Sequence, residues 1–357
     1  MKRKEQKLNE ALSRLLEEAP HFSITNNDKI VVFSDLHMGN GGRHDDFLPN
    51  SEFFKYILEQ YYLKNHYKLI LNGDIEELQK FSLKQIKVKW RELYHLFDEF
   101  DKKGAFFKLV GNHDSKLFSK KTDTKKPLYH SLKLNYNQHQ IVIFHGHQAS
   151  LVMKHFNSFC SLALRYIISP IGIKNYSISH NSTTKFNTEK RVYDFARTHK
   201  VVSLIGHTHR PLFESLSKIE YLKFKIEQYC RDYSQGDKDQ ATLDKLAAKI
   251  KKFNAELQYL SMKKNIRKGS RSSLYNSDLM VPCMFNSGCA IGKTGITAIE
   301  IADGKISLIH WFDRRKSQKY LDYNGYTPVQ MENTEYFRVA LKEDNLNYIF
   351  ARIELLA

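Results

Sequence analysis

Nine residues have types and spacings that could do chemistry together: Asp35, His37, Asp74, Asn112, His113, Asp114, His145, His207 and His209. They sit in five short runs, S-D-L-H, N-G-D, G-N-H-D, H-G-H and G-H-T-H. Carboxylate, amide and imidazole donors are the groups that hold divalent transition metals. A carboxylate has two oxygens and can bridge two ions, and Asp74 is suited to that place. Two ions about 3.5–4 Å apart clamp a phosphoryl group and activate water, so no Ser or Cys nucleophile is needed. A single Asp-x-His run would mean little, because a lone strand-end histidine is commonly a satisfied structural residue. Five runs in this order are not independent accidents.

The elements that must position these residues are readable around them. Each run closes a short β-branched stretch: IVVFSD (30–35), KLILNGD (68–74), AFFKLVGNHD (105–114), IVIFHGH (141–147) and VVSLIGHTH (201–209). Amphipathic helical stretches, SEFFKYILEQYY (51–62) and one around Trp90 to Phe100, alternate with them. Strand–helix alternation predicts an α/β core, whose sites gather beyond the carboxyl ends of the strands. Leu8, Leu12, Leu15 and Leu16 share one helical face that stops at Pro20, so residues 1–28 read as an N-terminal helix. MVPCMFNSGCAIG (280–292) is strand-like, and TGITAIEIADGKISLIHWF (294–312) reads as a hairpin turning at Asp303-Gly304. The tail beginning EYFRVALKEDN fits strand, helix or both. The core is therefore expected over 29–211 and 275–357.

Two stretches interrupt it. Residues 149–176 are apolar with scattered cations and are broken by Ser169-Pro170 and Gly172. They read either as a lid, with Arg165 and Lys174 as phosphate contacts, or as an ordinary helix pair over the sheet. Residues 212–270 carry two helical apolar stripes, Leu212 to Ile226 and Leu243 to Leu260, around a Ser234-Gln235-Gly236-Asp237 turn. That predicts an inserted helical hairpin, with 14 Lys/Arg against 7 Asp/Glu over 218–271. Its cationic face is expected to be solvated or to meet an anionic partner. The glycine-rich loop 39–46 follows the first ligand pair, and there Asn40, Arg43 and His44 are candidates to contact substrate phosphate. The competing reading is a flexible, solvated loop. Cys289 is expected to be structural.

Composition sets the outer bounds. Of 357 residues, 41% are hydrophobic and 13% aromatic, which excludes wholesale disorder. Lys+Arg 56 against Asp+Glu 39 leaves a net charge of +17, which favours a phosphorylated substrate, an anionic membrane surface or nucleic acid, the last not preferred. Cys160, Cys230, Cys283 and Cys289 form no C-x-x-C pair, which argues against a zinc knuckle and suits a reducing compartment. The charged start lacks the apolar core of a signal peptide, and no run of 18 apolar residues occurs. A cytoplasmic location, peripheral to a membrane, is the expectation.

The motif order D-x-H, G-D, G-N-H-D, H, G-H-x-H resembles that of the calcineurin-like metallophosphoesterases, over residues 29–210 and more weakly over 280–312. The resemblance implies a four-layer α/β/β/α sandwich with a dinuclear site on one edge and the helical hairpin as an insertion. It implies one metal on Asp35, His37, Asp74 and His209, and a second on Asp74, Asn112, His145 and His207. It implies His113 as the general acid, oriented by Asp114. Manganese is the first expectation for the two divalent ions, with iron or zinc as alternatives. Within the family, the chain is most similar to bacterial UDP-2,3-diacylglucosamine pyrophosphatases. D-L-H-M-G, G-D-I-E-E with Glu76 and Glu77, and G-H-T-H-R-P carry that likeness, as does an insertion where those enzymes have a lipid-binding lid. The chain departs from them in reading His145-Gly146-His147 where they usually read H-G-D. The implied activity is hydrolysis of a phosphoester or phosphoanhydride, on a nucleotide-linked or lipid-linked pyrophosphate. A protein or small-molecule phosphomonoesterase and a nuclease are the alternatives. A non-enzymatic binding module is disfavoured, because every ligand type and His113 are present.

Overall fold

The computed structural model describes residues 2–119, 126–150, 182–214, 222, 226–227, 229–230, 232–234, 239–266, 281–321 and 326–357. Helix α1 (Lys2–Glu17) leads into strand β1 (His21–Ile24). The helix expected over 1–28 thus ends at Glu17, and residues 21–24 pair in parallel with a strand of the core. Leu8 and Leu12 of α1 are buried, so this segment is part of the body. The helix thus ends close to Pro20, and the four residues after it, too few to show a period of their own, take their strand state from the sheet partner.

The order continues through β2 (Ile30–Phe33), α2 (Ser51–Ile57), β3 (Lys68–Asn72), α3 (Leu83–Lys89), α4 (Arg91–Lys102) and β4 (Phe106–Leu109). Helix α2 runs on into a wider π-type turn over Leu58–Leu63. Next come β5 (Leu128–Tyr129), β6 (Ser131–Tyr136), β7 (His139–Phe144), α5 (Ser182–His199), β8 (Val202–Ile205) and α6 (Gln240–Ile266). The chain closes with β9 (Met284–Asn286), β10 (Ile296–Ala302), β11 (Lys305–Asp313), β12 (Val329–Gln330), β13 (Tyr336–Asn345) and α7 (Leu346–Leu356). The ambiguous tail is therefore strand followed by helix.

The strands form two sheets, β1-β6-β7-β8-β9 and β12-β13-β11-β10-β2-β3-β4-β5. Strands β2 to β5 are mutually parallel, as are β7, β8 and β9, so the ligand-bearing strands point one way within each sheet. Period-two alternation builds the layers. Ile30 and Val32 face a core shared with the smaller sheet, whereas Val31 and Phe33 face the core under α2, α3 and α4. Helix α4 buries Leu93, Leu96, Phe97 and Phe100, each worth about 1.5–3 kcal/mol when fully removed from water. Two sheets flanked by helices make the mixed α/β sandwich of this fold.

The Asp303-Gly304 turn joins β10 to β11 as a two-residue loop, with φ of 53° and 69° as a type I′ turn requires. Leu212 exchanges backbone hydrogen bonds with Asn286 at 3.1 and 2.9 Å, and Phe213 packs edge-on to Phe285 at 5.0 Å. Leu212 and Phe213, the first residues of the stretch expected as an insertion, are thus packed on β9. Of the stretch expected as a hairpin, α6 is described, and its Phe253 stacks on Tyr229 at 5.8 Å. The candidate lid 149–176 with Arg165 and Lys174 lies outside the described residues beyond Ser150. Among the described residues no helix is long and apolar enough to cross a membrane.

Candidate metal centre

The five ligand runs converge at the carboxyl ends of β2, β3, β4, β7 and β8. They bring together Asp35, His37 and His209 in one cluster, Asp74, His145 and His207 in a second, and His37, Asp74 and His113 in a third. Within each cluster the ligand atoms lie within 4.8 Å of one another. The Nε2 atoms of His37 and His209 are 3.1 Å apart, and His209 Nε2 is 3.1 Å from Asp35 Oδ1. His145 Nε2 is 3.1 Å from Asp74 Oδ2.

Four of these side chains, Asp35, Asp74, His145 and His37, are held from behind. Asp35 Oδ2 accepts the His207 backbone N–H at 2.9 Å, and Asp74 Oδ1 accepts that of His113 at 2.8 Å. His145 Nδ1 donates to the Asn72 carbonyl at 2.8 Å, which leaves Nε2 as the lone-pair nitrogen. His37 Nδ1 meets Glu77 Oε2 at 3.2 Å. The atoms that remain, Asp35 Oδ1, Asn112 Oδ1, His145 Nε2 and His207 Nε2, are buried and have no hydrogen-bond partner. Buried polar atoms are rarely left unpaired, and those of Asp35, His145 and His207 converge with the clusters and ask for an occupant. Asp35 Oδ1 and His145 Nε2 approach facing ligand atoms at 3.1 Å without forming hydrogen bonds, so these atoms aim at shared points rather than at each other. This donor set, oxygen and nitrogen with imidazoles braced from behind, fits divalent transition metals.

The backbone is strained at these same residues. Asp35, His37, Asp74, His207 and His209 have φ of 54°, 49°, 54°, 65° and 56°. Left-handed non-glycine backbone costs about 1–3 kcal/mol per residue and collects at functional sites. Two glycines are demanded by close approach. A Cβ on Gly111 would stand 2.2 Å from Asp74 Oδ1, and one on Gly206 would stand 2.6 Å from Asp35 Oδ2.

Burial pushes Asp35 and Asp74 up, but the facing imidazoles, His209 and His145 foremost, outweigh it and hold both below the ordinary carboxylate range. Burial pulls His113 down, and the carboxylates of Glu77 and Asp74 overcome it to hold the imidazole at about 9. His113 Nδ1 lies 2.9 and 2.8 Å from the two oxygens of Glu77, and its Nε2 is 3.9 Å from Asp74 Oδ2. Asp114 does not orient His113. Its carboxylate accepts the backbone N–H groups of Ile75 at 2.8 Å and Gly111 at 2.6 Å, because its side chain turns back into the loop between β3 and β4. Glu77, three residues after Asp74 in G-D-I-E-E, takes the place expected for Asp114. Glu76 instead pairs with Lys108 and accepts from Tyr94 Oη at 2.6 Å.

The loop after His37 is well tied. Asp45 accepts from Gly41 N at 2.7 Å and Phe47 N at 3.1 Å, and Trp90 Nε1 donates to Gly39 O at 2.9 Å. Asn40 turns its Oδ1 onto Gly42 N at 3.0 Å, and Arg43 and His44 stand exposed at the tip. The structure brings none of these three into contact with the clusters. Sequence reasoning assigned no role to His147, whose ring lies 5.4 Å from that of His145 and whose buried Nδ1 has no partner. Burial, then the neighbouring His145, holds it down at about 3. Burial raises the Cys289 thiol to about 12, which keeps it protonated.

A sequence model of the calcineurin-like phosphoesterases matches residues 28–222, more than half of the chain. The protein belongs to the calcineurin-like phosphoesterase family. No curated protein sequence matches it. Among solved structures, it resembles a single mutant of Vps29 from Entamoeba histolytica, with 11% identity, TM-score 0.33, and 80% of this chain and 92% of that one covered. It also resembles Vacuolar Protein Sorting 29 from Cryptosporidium parvum, with 9% identity, TM-score 0.35 and coverage of 89% and 98%. At these values neither likeness bears on what this family member does.

Proposed function

We propose that the protein is a hydrolase of phosphoester or phosphoanhydride bonds that works with two divalent metal ions, manganese first among them. The observation that carries this reading is the convergence of three buried, unpartnered ligand atoms, on Asp35, His145 and His207, at the ends of different strands. A bound ion pair supplies charge stabilisation for a phosphoryl group and a nucleophile from water. Asp35, His37 and His209 would hold one ion, and Asn112, His145 and His207 the other, with Asp74 between them. His113 is the acid: Glu77 fixes the proton on Nδ1, and the high affinity of this imidazole for a second proton leaves Nε2 charged at neutral pH. From there the Nε2 proton passes to the leaving oxygen.

The substrate we favour is a nucleotide-linked or lipid-linked pyrophosphate. The D-L-H-M-G, G-D-I-E-E and G-H-T-H-R-P runs support it, as does a net charge of +17 suited to an anionic substrate or membrane surface. The reading extends to a cytoplasmic enzyme at the membrane surface, with 212–270 as an inserted hairpin. A panel with Mn2+ tests it: p-nitrophenyl phosphate, bis-p-nitrophenyl phosphate, a UDP-linked acyl sugar and single-stranded DNA. Hydrolysis of the UDP-linked sugar ahead of the others, abolished by EDTA and restored by Mn2+, is the expected result. Preference for the monoester or the DNA would move the assignment to a phosphomonoesterase or nuclease. Failure to bind Mn2+, Fe2+ or Zn2+ would end it.

A further inference from the structure

His207 and His209 carry two of the strained backbone positions, and Thr208 stands between them. Something must hold that turn. Thr208 is fully buried, and its hydroxyl is engaged from two sides. It donates to Glu189 Oε1 at 2.7 Å and accepts from Asn286 Nδ2 at 2.9 Å. Asn286 Nδ2 also donates to the Gly206 carbonyl at 3.0 Å, which anchors the residue before His207. Glu189 projects from α5, is fully buried, and takes the guanidinium of Arg210 through Nε at 3.2 Å and through a second nitrogen. One buried carboxylate therefore grips the residues on both sides of His209.

A carboxylate is costly to bury, and Arg210 offsets that cost. For packing alone, an apolar residue at 189 would serve at no such cost. What Glu189 adds is direction: Oε1 accepts from both neighbours of His209, Thr208 and Arg210, and Oε2 takes a second nitrogen of Arg210. We infer that Glu189 is a positioning residue for the His207–His209 pair, acting through Thr208 and Arg210. It lies 18 residues before His207 in the sequence, on a helix whose other residues give no sign of the site.

This inference rests on the metal-centre reading above, and the experiment separates the two. Metal-free full-length protein is titrated with Mn2+ by calorimetry, comparing wild type with Glu189→Ala, Glu189→Gln and Thr208→Val. Loss of an outer partner of a ligand typically weakens metal binding about 10–100-fold. We expect that loss for Glu189→Ala and Thr208→Val, with unchanged far-ultraviolet circular dichroism. Glu189→Gln keeps an acceptor for the Thr208 hydroxyl and should recover part of the affinity, which a role limited to stability would not produce. Wild-type affinity in both folded Glu189→Ala and Thr208→Val overturns the inference while leaving the metal centre standing. If Glu189→Ala does not fold, Thr208→Val alone decides, since it removes one hydroxyl and little volume. A wild-type protein that takes up no Mn2+, Fe2+ or Zn2+ overturns both readings.

Discussion

The protein buries carboxylates in two regions and treats them in opposite ways. Under α2, Glu300 of β10 is surrounded by donors from its own chain. Tyr62 Oη donates to Oε1 at 2.7 Å, Tyr67 Oη to Oε2 at 3.4 Å, and Arg338 pairs with both oxygens. Trp311 Nε1 in turn donates to Tyr62 Oη at 2.7 Å. Both oxygens of Glu300 are partnered. At the strand ends, Asp35 Oδ1 and the open nitrogens of His145 and His207 face one another with no partner. Buried charge is costly unless paired, so the first network is finished by the chain and the second is finished by something the chain does not supply. The Glu300 network sits on unstrained strands, whereas the ligand residues also hold left-handed backbone. Stability and function have been laid on separate groups.

The sharpest way to break this contrast is Asp74→Ala. Removing the carboxylate between both clusters should remove metal and activity together, well beyond the about 10–100-fold loss typical of an outer partner. Elemental analysis checks it, and two metals retained would defeat the assignment of Asp74. The metal-free variant should also be less stable than metal-free wild type at neutral pH, because the facing imidazoles favour the ionised carboxylate and it accepts the His113 backbone N–H.

His113 stands on the line between the two kinds of group, with Nδ1 partnered by Glu77 and Nε2 open to the clusters. His113→Ala should bind metal nearly normally and turn over about 10²–10⁴-fold more slowly. The loss should shrink for p-nitrophenolate, a leaving group that needs little protonation. Equal losses on good and poor leaving groups would remove the acid role.

Glu300→Ala inverts the pattern. It strands Arg338, one-fifth exposed, among apolar neighbours, and should cost about 3 kcal/mol in urea denaturation. Metal content should not change. A variant that lost metal while folded would show that the two regions are coupled.

The smallest effect is expected far from both. Leu212 is bonded to Asn286, which holds the flanking core segments together, so replacing residues 216–266 by a short Gly/Ser linker should leave the core folded. Metal content and turnover of p-nitrophenyl esters should survive. Loss of metal in a folded protein, repeated with a longer linker, would make the hairpin part of the site.

Much of the site was legible because its residues are written in contiguous runs. S-D-L-H and G-H-T-H place two ligands each at the end of a strand whose apolar run is visible, so type, spacing and strand end coincide in one window. The strands themselves were legible for the same reason: Ile30 to Phe33 alternate between two cores, and β-branched residues mark them. Residues 21–24 were not, because four residues show no period and their strand state depends on β6, more than a hundred positions away.

The sequence by itself determined which residue types are available to bind metal, and in what order the strands deliver them. It could not decide which carboxylate serves which imidazole. Asp114 adjoins His113 in the chain yet bonds the loop behind it, while Glu77 crosses from the end of another strand to reach both His37 and His113. Glu189 meets Thr208 only because α5 packs against β8, and Glu300 meets Arg338 only because β11 lies between their two strands. Local composition sets the chemistry a residue can do. Its partner is set by side-chain direction at a distance of a few ångströms, and neighbours at that distance come from strand order and helix packing rather than from adjacency in the chain.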